Sequence, residues 1–197
     1  EAGETVFKAI EKRGVIPLAW GENGFREISN SKQAISMPAD LKGMKIRVVG
    51  SPLFLDTFNA LGANPTQMSW VDAMPALTTG AVDGAERANQ KYLSLWHYMN
   101  DPLIFGVSER VWKTFNEEDQ AMLKQAAYDA GQWGIEKSRS ELEETLAQIR
   151  ERGVEVNELT PEQHQAFVDA TKGVYDKWIP RIGKELVETA QKAIAER

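Results

Sequence analysis

The chain holds 197 residues, 42% of them hydrophobic and 26% charged, enough length and apolar content to bury a core without covalent staples. It has no cysteine, which excludes disulfides, thiolate metal sites and a cysteine nucleophile; with a mean hydropathy of −0.42, no apolar run approaches the ~18 residues a membrane helix needs. An excess of 29 acidic over 23 basic residues argues against nucleic acid, whose binding draws on lysine and arginine at phosphates, and leaves a small molecule or a protein as partner.

Residues Glu1–Lys12 show no charged leader region, apolar core or cleavage site, so no signal peptide is visible. Val6, Phe7 and Ile10 make a short helical stripe that Gly14 closes. Val15–Trp20 reads as a buried strand and Gly21–Gly24 as the turn after it. Met37–Leu41 predicts a short helical turn that Lys42-Gly43 breaks. Met44–Val49 (MKIRVV) is the clearest strand, with Ile46 and Val48 on one face and Lys45, Arg47 and Val49 on the other. Ser51 as N-cap and Pro52 at the first helical position predict a helix running to Leu61-Gly62. Ligands of α/β sheets gather at the carboxyl ends of strands. Arg47 and the free N–H groups of that helix start are therefore expected to face one space, and both favour an anion.

Ser69–Asp72 is a capping box for a helix ending near Thr79-Gly80, and Val82–Arg87 leaves it as a short strand and turn. Tyr92–Trp96 and Leu103–Val107 read as buried strands joined by a loop at Asn100–Pro102. Asn116 and Asp119 cap a long helix whose stripe, from Met122 to Ile149, ends at Arg152-Gly153; Gly131 and Gly134 inside it mark a bend or close packing. Val154–Val156 gives one more short strand, and Thr160 opens a second helical tract, interrupted at Pro180, that runs to the end.

Enzyme signatures are thin: there is no nucleophile elbow, no phosphate-cradling glycine loop and no HExxH. His164, on a charged helix start, reads as a surface residue, and His97, between Trp96 and Tyr98, as packed or lining a cavity. Asp83 and Glu86 form a conceivable carboxylate pair, but turn and capping roles explain them at least as well. Taken singly, Trp70 reads as core or interface and Arg26 as solvated. Arg47 is either a carboxylate anchor or half of an internal salt bridge, and the residues alone leave that open.

Four ordered blocks carry a resemblance: DLKGMKIRVVGSP (Asp40–Pro52), LGANPTQMSW (Leu61–Trp70), ALTTGAVDGAE (Ala76–Glu86) and VWKTFNEEDQ (Val111–Gln120). Over nearly its whole length the chain resembles the solute-binding proteins of tripartite ATP-independent periplasmic (TRAP) transporters, the DctP family. The resemblance implies an α/β, periplasmic-binding-protein-like two-lobed fold of type II-like form, with mixed sheets, helices on both faces and a long inter-lobe helix. It assigns residues 1–24 and 98–138 to lobe I, incomplete because the family's first lobe begins further upstream, and residues 25–97 and 139–197 to lobe II. The segment after Glu86 is shorter than the family's. The implied function is capture of an organic acid, a dicarboxylate or sugar acid, in the periplasm and delivery to a membrane permease, without catalysis or cofactor. Arg47 matches the arginine that pairs with the ligand carboxylate, Arg26 a second arginine, and Trp70 a pocket aromatic; Glu86, Arg87 and Asn89 complete the implied substrate-binding set. Arg87 stands where many relatives carry asparagine, and inside the site it would favour a ligand with a second acidic group or several hydroxyls. An enzyme acting on such acids and a ligand-sensing domain of a signalling system are the rival expectations.

Overall fold

A computed structural model describes residues 2–86 and 90–195. The elements run α1 (Ala2–Glu11), β1 (Val15–Asn30), a 3-10 turn (Pro38–Leu41), β2 (Lys45–Val48), α2 (Pro52–Ala60), β3 (Asn64–Gln67), α3 (Trp70–Thr78), β4 (Gly84–Ala85), β5 (Tyr92–Ser108), α4 (Glu109–Trp112), α5 (Glu117–Ser140), α6 (Leu142–Glu151), β6 (Glu155–Glu158), α7 (Pro161–Ile182) and α8 (Lys184–Ala195). The strands form one mixed sheet in the order β3-β2-β4-β1-β5-β6. The chain divides into two compact units, Glu1–Gly24 with Asn100–Glu143 and Ile182–Arg197, and Phe25–Met99 with Glu144–Arg181; the division falls inside β1 and β5.

In the second unit, β2 runs parallel to both β3 and β4, setting Arg47 opposite Thr66 and Ala85, while β4 pairs antiparallel with β1. The two-residue period of β2 puts Ile46 and Val48, both fully buried, into a core with Ile28, Leu41, Phe58, Trp96 and Phe167, so α2 and α7 cover that face. Phe167 meets Trp96 edge-on at 4.8 Å. On the other face of β5, Leu93 and Leu95 pack with Leu146 and Ile149 of α6. Buried Ser94 ties strand to loop by donating to Asn157 Oδ1 at 2.7 Å and accepting the Ile35 N–H at 2.9 Å.

Gly84 is where β4 squeezes between β1 and β2. A Cβ there would lie 2.5 Å from the Ser29 carbonyl oxygen and 2.8 Å from the Asn30 Cβ, so only glycine lets the three strands close. In the first unit Phe7 stacks on Trp20 at 4.9 Å, α1 packs on α8, and Gly131 of α5 lets the Trp20 carbonyl approach to within 2.3 Å of where a Cβ would stand. Gly131 thus serves close packing.

Several sequence expectations change. β1 runs unbroken through Gly21–Gly24, and β5 through Asn100–Pro102, because polar residues there find partners across the strands: Asn23 donates to the Asp101 carboxylate at 3.0 Å. The long stripe breaks at Glu141 into α5 and α6, since Leu146 and Ile149 belong to the core of the second unit and Ala127 to the first unit. The last tract passes through Pro180 and breaks at Gly183, whose φ of +112° only glycine adopts without strain. Ser51 is the extended N-cap of α2, but its hydroxyl makes no cap bond. Ser69 and Asn116 do cap their helices, accepting from the N–H of Asp72 and Asp119.

Gly84→Ala is expected to lower stability in urea unfolding by about 1–3 kcal/mol through overpacking. Gly134→Ala, with no atom within 4 Å of the added Cβ, serves as the control and should raise stability by up to about 1 kcal/mol.

Candidate functional site

Among the described residues two places stand out as candidates for a ligand. In the first unit an apolar groove is lined by Trp20, Leu103, Phe105, Ala127 and Ala130. Its one acidic group, Glu22, is held below the usual carboxylate range by the Arg139 guanidinium, which donates at 2.5 and 3.1 Å. That groove offers an anion nothing. In the second unit two buried arginines, Arg26 and Arg47, share a cluster with the fully buried Glu86.

Each is put there by local sequence. Arg47 sits on the β2 face opposite Ile46 and Val48, so the same alternation that builds the core delivers its side chain to the far side. Its Nε and Nη2 donate to the Met68 carbonyl at 3.0 and 2.8 Å, which fixes the plane of the guanidinium through its side edge. Nη1 and the outer N–H of Nη2, the fork that matches a carboxylate, have no partner among the described residues. The Trp70 ring lies 5.4 Å from the Arg47 guanidinium carbon. Trp70 is the first residue of α3, oriented by the Ser69 cap, and is 44% exposed, so part of the indole stays open beside the arginine. Through Trp70, Arg47 lies beside the first residue of α3.

Arg26 differs. Its Nη1 donates to Glu86 Oε2 at 2.8 Å, and its guanidinium carbon lies 5.4 Å from the centre of the Phe54 ring. Glu86 follows β4 directly, carried between the arginine-bearing strands by Gly84. Burial pushes the Glu86 carboxyl up to about 6, against the charge of Arg26, the neighbouring Tyr98 hydroxyl and the charge of Arg47. Burial likewise draws Arg47 below its ordinary value, which Glu86 counteracts and Arg26 reinforces, so all three groups feel one another.

Arg26, Arg47, Trp70 and Glu86 are thus brought together; Arg87 and Asn89 lie outside the described residues. Against their single-residue readings, Arg26 is buried rather than solvated, Trp70 half-exposed rather than core, and Glu86 an ion-pair partner rather than a cap. Asp83 does hold backbone, accepting the Lys45 N–H at 2.9 Å. His97 is exposed rather than packed: its ring Nδ1 meets the Glu27 carboxylate, and its φ of +48° is held by the same carboxylate accepting the N–H groups of Trp96 and His97. Met68 and Tyr98 went unnoticed in the sequence, Met68 because it acts through its carbonyl. Among the described residues no group of three or more His, Asp or Glu side chains is placed to hold a metal, and no helix is long and apolar enough to cross a membrane.

A mixed sheet clothed by helices on both faces, in this strand order, is the architecture of the periplasmic-binding-protein class. Residues 1–181 match the model of DctP, bacterial extracellular solute-binding protein family 7, and the chain belongs to that family. A TRAP periplasmic solute-binding protein of Ralstonia eutropha, solved with bound (S)-2-acetolactate, superposes with a TM-score of 0.97 at 51% identity, over 100% of this chain and 68% of that one. The sugar acid binding protein of Advenella mimigardefordensis, in complex with galactonate, gives a TM-score of 0.94 at 29% identity, over 100% of this chain and 67% of that one. The C4-dicarboxylate-binding periplasmic protein of Vibrio cholerae is 34% identical over 95% of this chain and 60% of its own length. The chain spans 60% of that relative and 55% of the 2,3-diketo-L-gulonate-binding periplasmic protein of Escherichia coli.

Glu86 also marks the stability profile. A carboxyl raised by folding binds its proton more tightly in the folded chain, so its contribution is fully present below the ordinary carboxylate range and is lost as pH climbs toward and through about 6. Unfolding followed across pH 4 to 7 should show a fall of roughly 2 kcal/mol from this group, and Glu86→Gln should flatten that segment of the curve.

Proposed function

We propose that this protein captures a small organic acid outside the cytoplasm, in the periplasm, and delivers it to the permease of a TRAP transporter, with Arg47 as the carboxylate anchor. The observation that carries this reading is the state of Arg47: buried, oriented by a backbone carbonyl, charged, and with its carboxylate-matching fork without a partner among the described residues. Trp70 supplies an apolar wall, and Arg26 and Glu86 bound the site. Arg87 and Asn89 belong to the proposed binding set on motif alone. Relatives solved with acetolactate or galactonate, and relatives named for C4-dicarboxylates and diketogulonate, support an acid of that kind. Binding alone suffices for this role. On this reading the two compact units are the two lobes of the binding protein, and Ile182–Arg197, which lies in the unit of Glu1–Gly24, belongs to lobe I.

In a thermal-shift screen against acetolactate, galactonate and succinate, at least one acid should raise the unfolding temperature, since a ligand bound only by the folded state stabilises it by mass action. Arg47→Met should then weaken binding of that acid by about 30-fold or more, the loss typical of a desolvated charge pair. Arg47→Lys should recover only part of it, because a lysine cannot present the fork. Undiminished affinity in Arg47→Met would refute the anchor.

A further inference from the structure

We propose that Glu27 is a positioning residue for this site: by clamping the backbone of β5 at Trp96 and His97, it sets Tyr98 and Arg26 against Glu86 on the opposite face of the sheet. The inference rests on the reading of Arg47 as carboxylate anchor only for its effect on affinity.

β1 and β5 are neighbours in the sheet, and the Glu27 side chain bridges them. Its Oε2 accepts the N–H of Trp96 at 2.8 Å and that of His97 at 3.0 Å, while Oε1 meets Nδ1 of the His97 ring. His97 needs such a hold, because its φ of +48° is one that residues with a Cβ rarely adopt and that persists only where the surroundings impose it. Burial pushes the Glu27 carboxyl up, and the backbone N–H and ring of His97 and the N–H of Trp96 draw it back.

What the clamp holds lies on the other face. Side chains alternate along a strand, so Arg26 stands opposite to Glu27 and Tyr98 opposite to His97. Both meet one ring of α2: the Arg26 guanidinium carbon lies 5.4 Å from the centre of Phe54, and Tyr98 lies edge-on to it at 6.4 Å. Both also act on Glu86, Arg26 through its ion pair at 2.8 Å and Tyr98 through its hydroxyl. Tyr98 directly follows the left-handed residue, so relaxation at His97 swings the phenol away from the carboxylate. Among the described residues the charged and titratable groups that face Glu86 are Arg26, Arg47 and Tyr98; Arg87, outside them, is the same in every variant compared.

The test compares Glu27→Gln with Glu27→Ala in the full chain. Glutamine keeps an oxygen that can accept both N–H groups and an amide that can face the His97 ring, whereas alanine keeps neither. Both lack the titration of Glu27 itself, so a difference between them reads the clamp. With the Glu86 carboxyl carbon followed by NMR and assigned through Glu86→Gln, its midpoint in Glu27→Ala should lie higher than in Glu27→Gln by ~0.5 or more on the pH scale, because Tyr98 and Arg26 then support the anion less. Acetolactate should bind Glu27→Ala ~5-fold or more weakly than Glu27→Gln. His97→Gly, which keeps both N–H groups and adopts the same φ without strain, should leave the Glu86 midpoint within ~0.2 of the wild type. Should Glu27→Ala fail to fold, Glu27→Leu, which fills the space and accepts no hydrogen bond, takes its place. Equal Glu86 midpoints in the folded pair overturn the proposal however much stability is lost, since a clamp that only held the fold together would leave them alike. A displaced midpoint in His97→Gly overturns it too, by giving the effect to the imidazole. Failure of the wild type to bind acetolactate counts against the anchor reading and leaves this proposal to the Glu86 titration, whereas equal midpoints beside tight binding remove this proposal alone.

Discussion

Two guanidinium groups buried on strands that flank β4 repel each other, and much of the second unit is arranged around the carboxylate that makes their company tolerable. An unpaired buried charge costs several kcal/mol. Arg26 avoids that cost through Glu86, and Arg47 feels Glu86 at longer range. The carboxylate reaches its place because β4, only Gly84–Ala85, wedges between β1 and β2, parallel to one and antiparallel to the other. A side chain at Gly84 would collide with the backbone of β1, moving Glu86 and with it the partner of Arg26. One glycine's missing Cβ therefore stands at the root of the site's electrostatics.

The same strands divide their labour by face. Ile46 and Val48 commit β2 to a core of aromatic and aliphatic side chains, and this burial supplies the stability against which an uncomfortable charge cluster is held. Arg47 occupies the alternate position and inherits the rigidity of that core without contributing apolar area to it. The Ser69 cap performs a similar service for Trp70, fixing the first turn of α3 so that the indole remains beside the guanidinium. Both groups proposed to face the ligand stand on element ends or strand positions that packing has already settled, which is how a site avoids ordering costs when a ligand arrives.

Wherever the signal was local, the sequence was legible. The MKIRVV alternation marked β2 and singled out Arg47, and the Ser69 and Asn116 caps marked the starts of α3 and α5. What failed depended on distant partners. Gly21–Gly24 and Asn100–Pro102 carry turn chemistry, yet each is kept extended by the other strand's polar groups. The break at Glu141 has no residue to announce it; it occurs because Leu146 and Ile149 pack in a core that the earlier part of the stripe does not share. Arg26 and Glu86 are 60 positions apart, and their pairing is a property of strand order. The resemblance implied Arg26 as a ligand contact, but no pattern in the residues told that its nearest charge is internal.

The contrast between the two arginines carries the electrostatic logic to its end. A carboxylate partner orients a guanidinium and neutralises it; a carbonyl orients it and neutralises nothing. Met68 therefore gives Arg47 the preorganisation of a salt bridge without neutralising it, and an anion bound at the proposed anchor would relieve the desolvation that draws its proton affinity down. Nor does the net charge of −6 oppose this, since within a Debye length of about 8 Å the local groups decide the potential and the distant acidic surface is screened. An acidic protein can thus hold an anion site, provided that one arginine is left with its charge unanswered and the other is not.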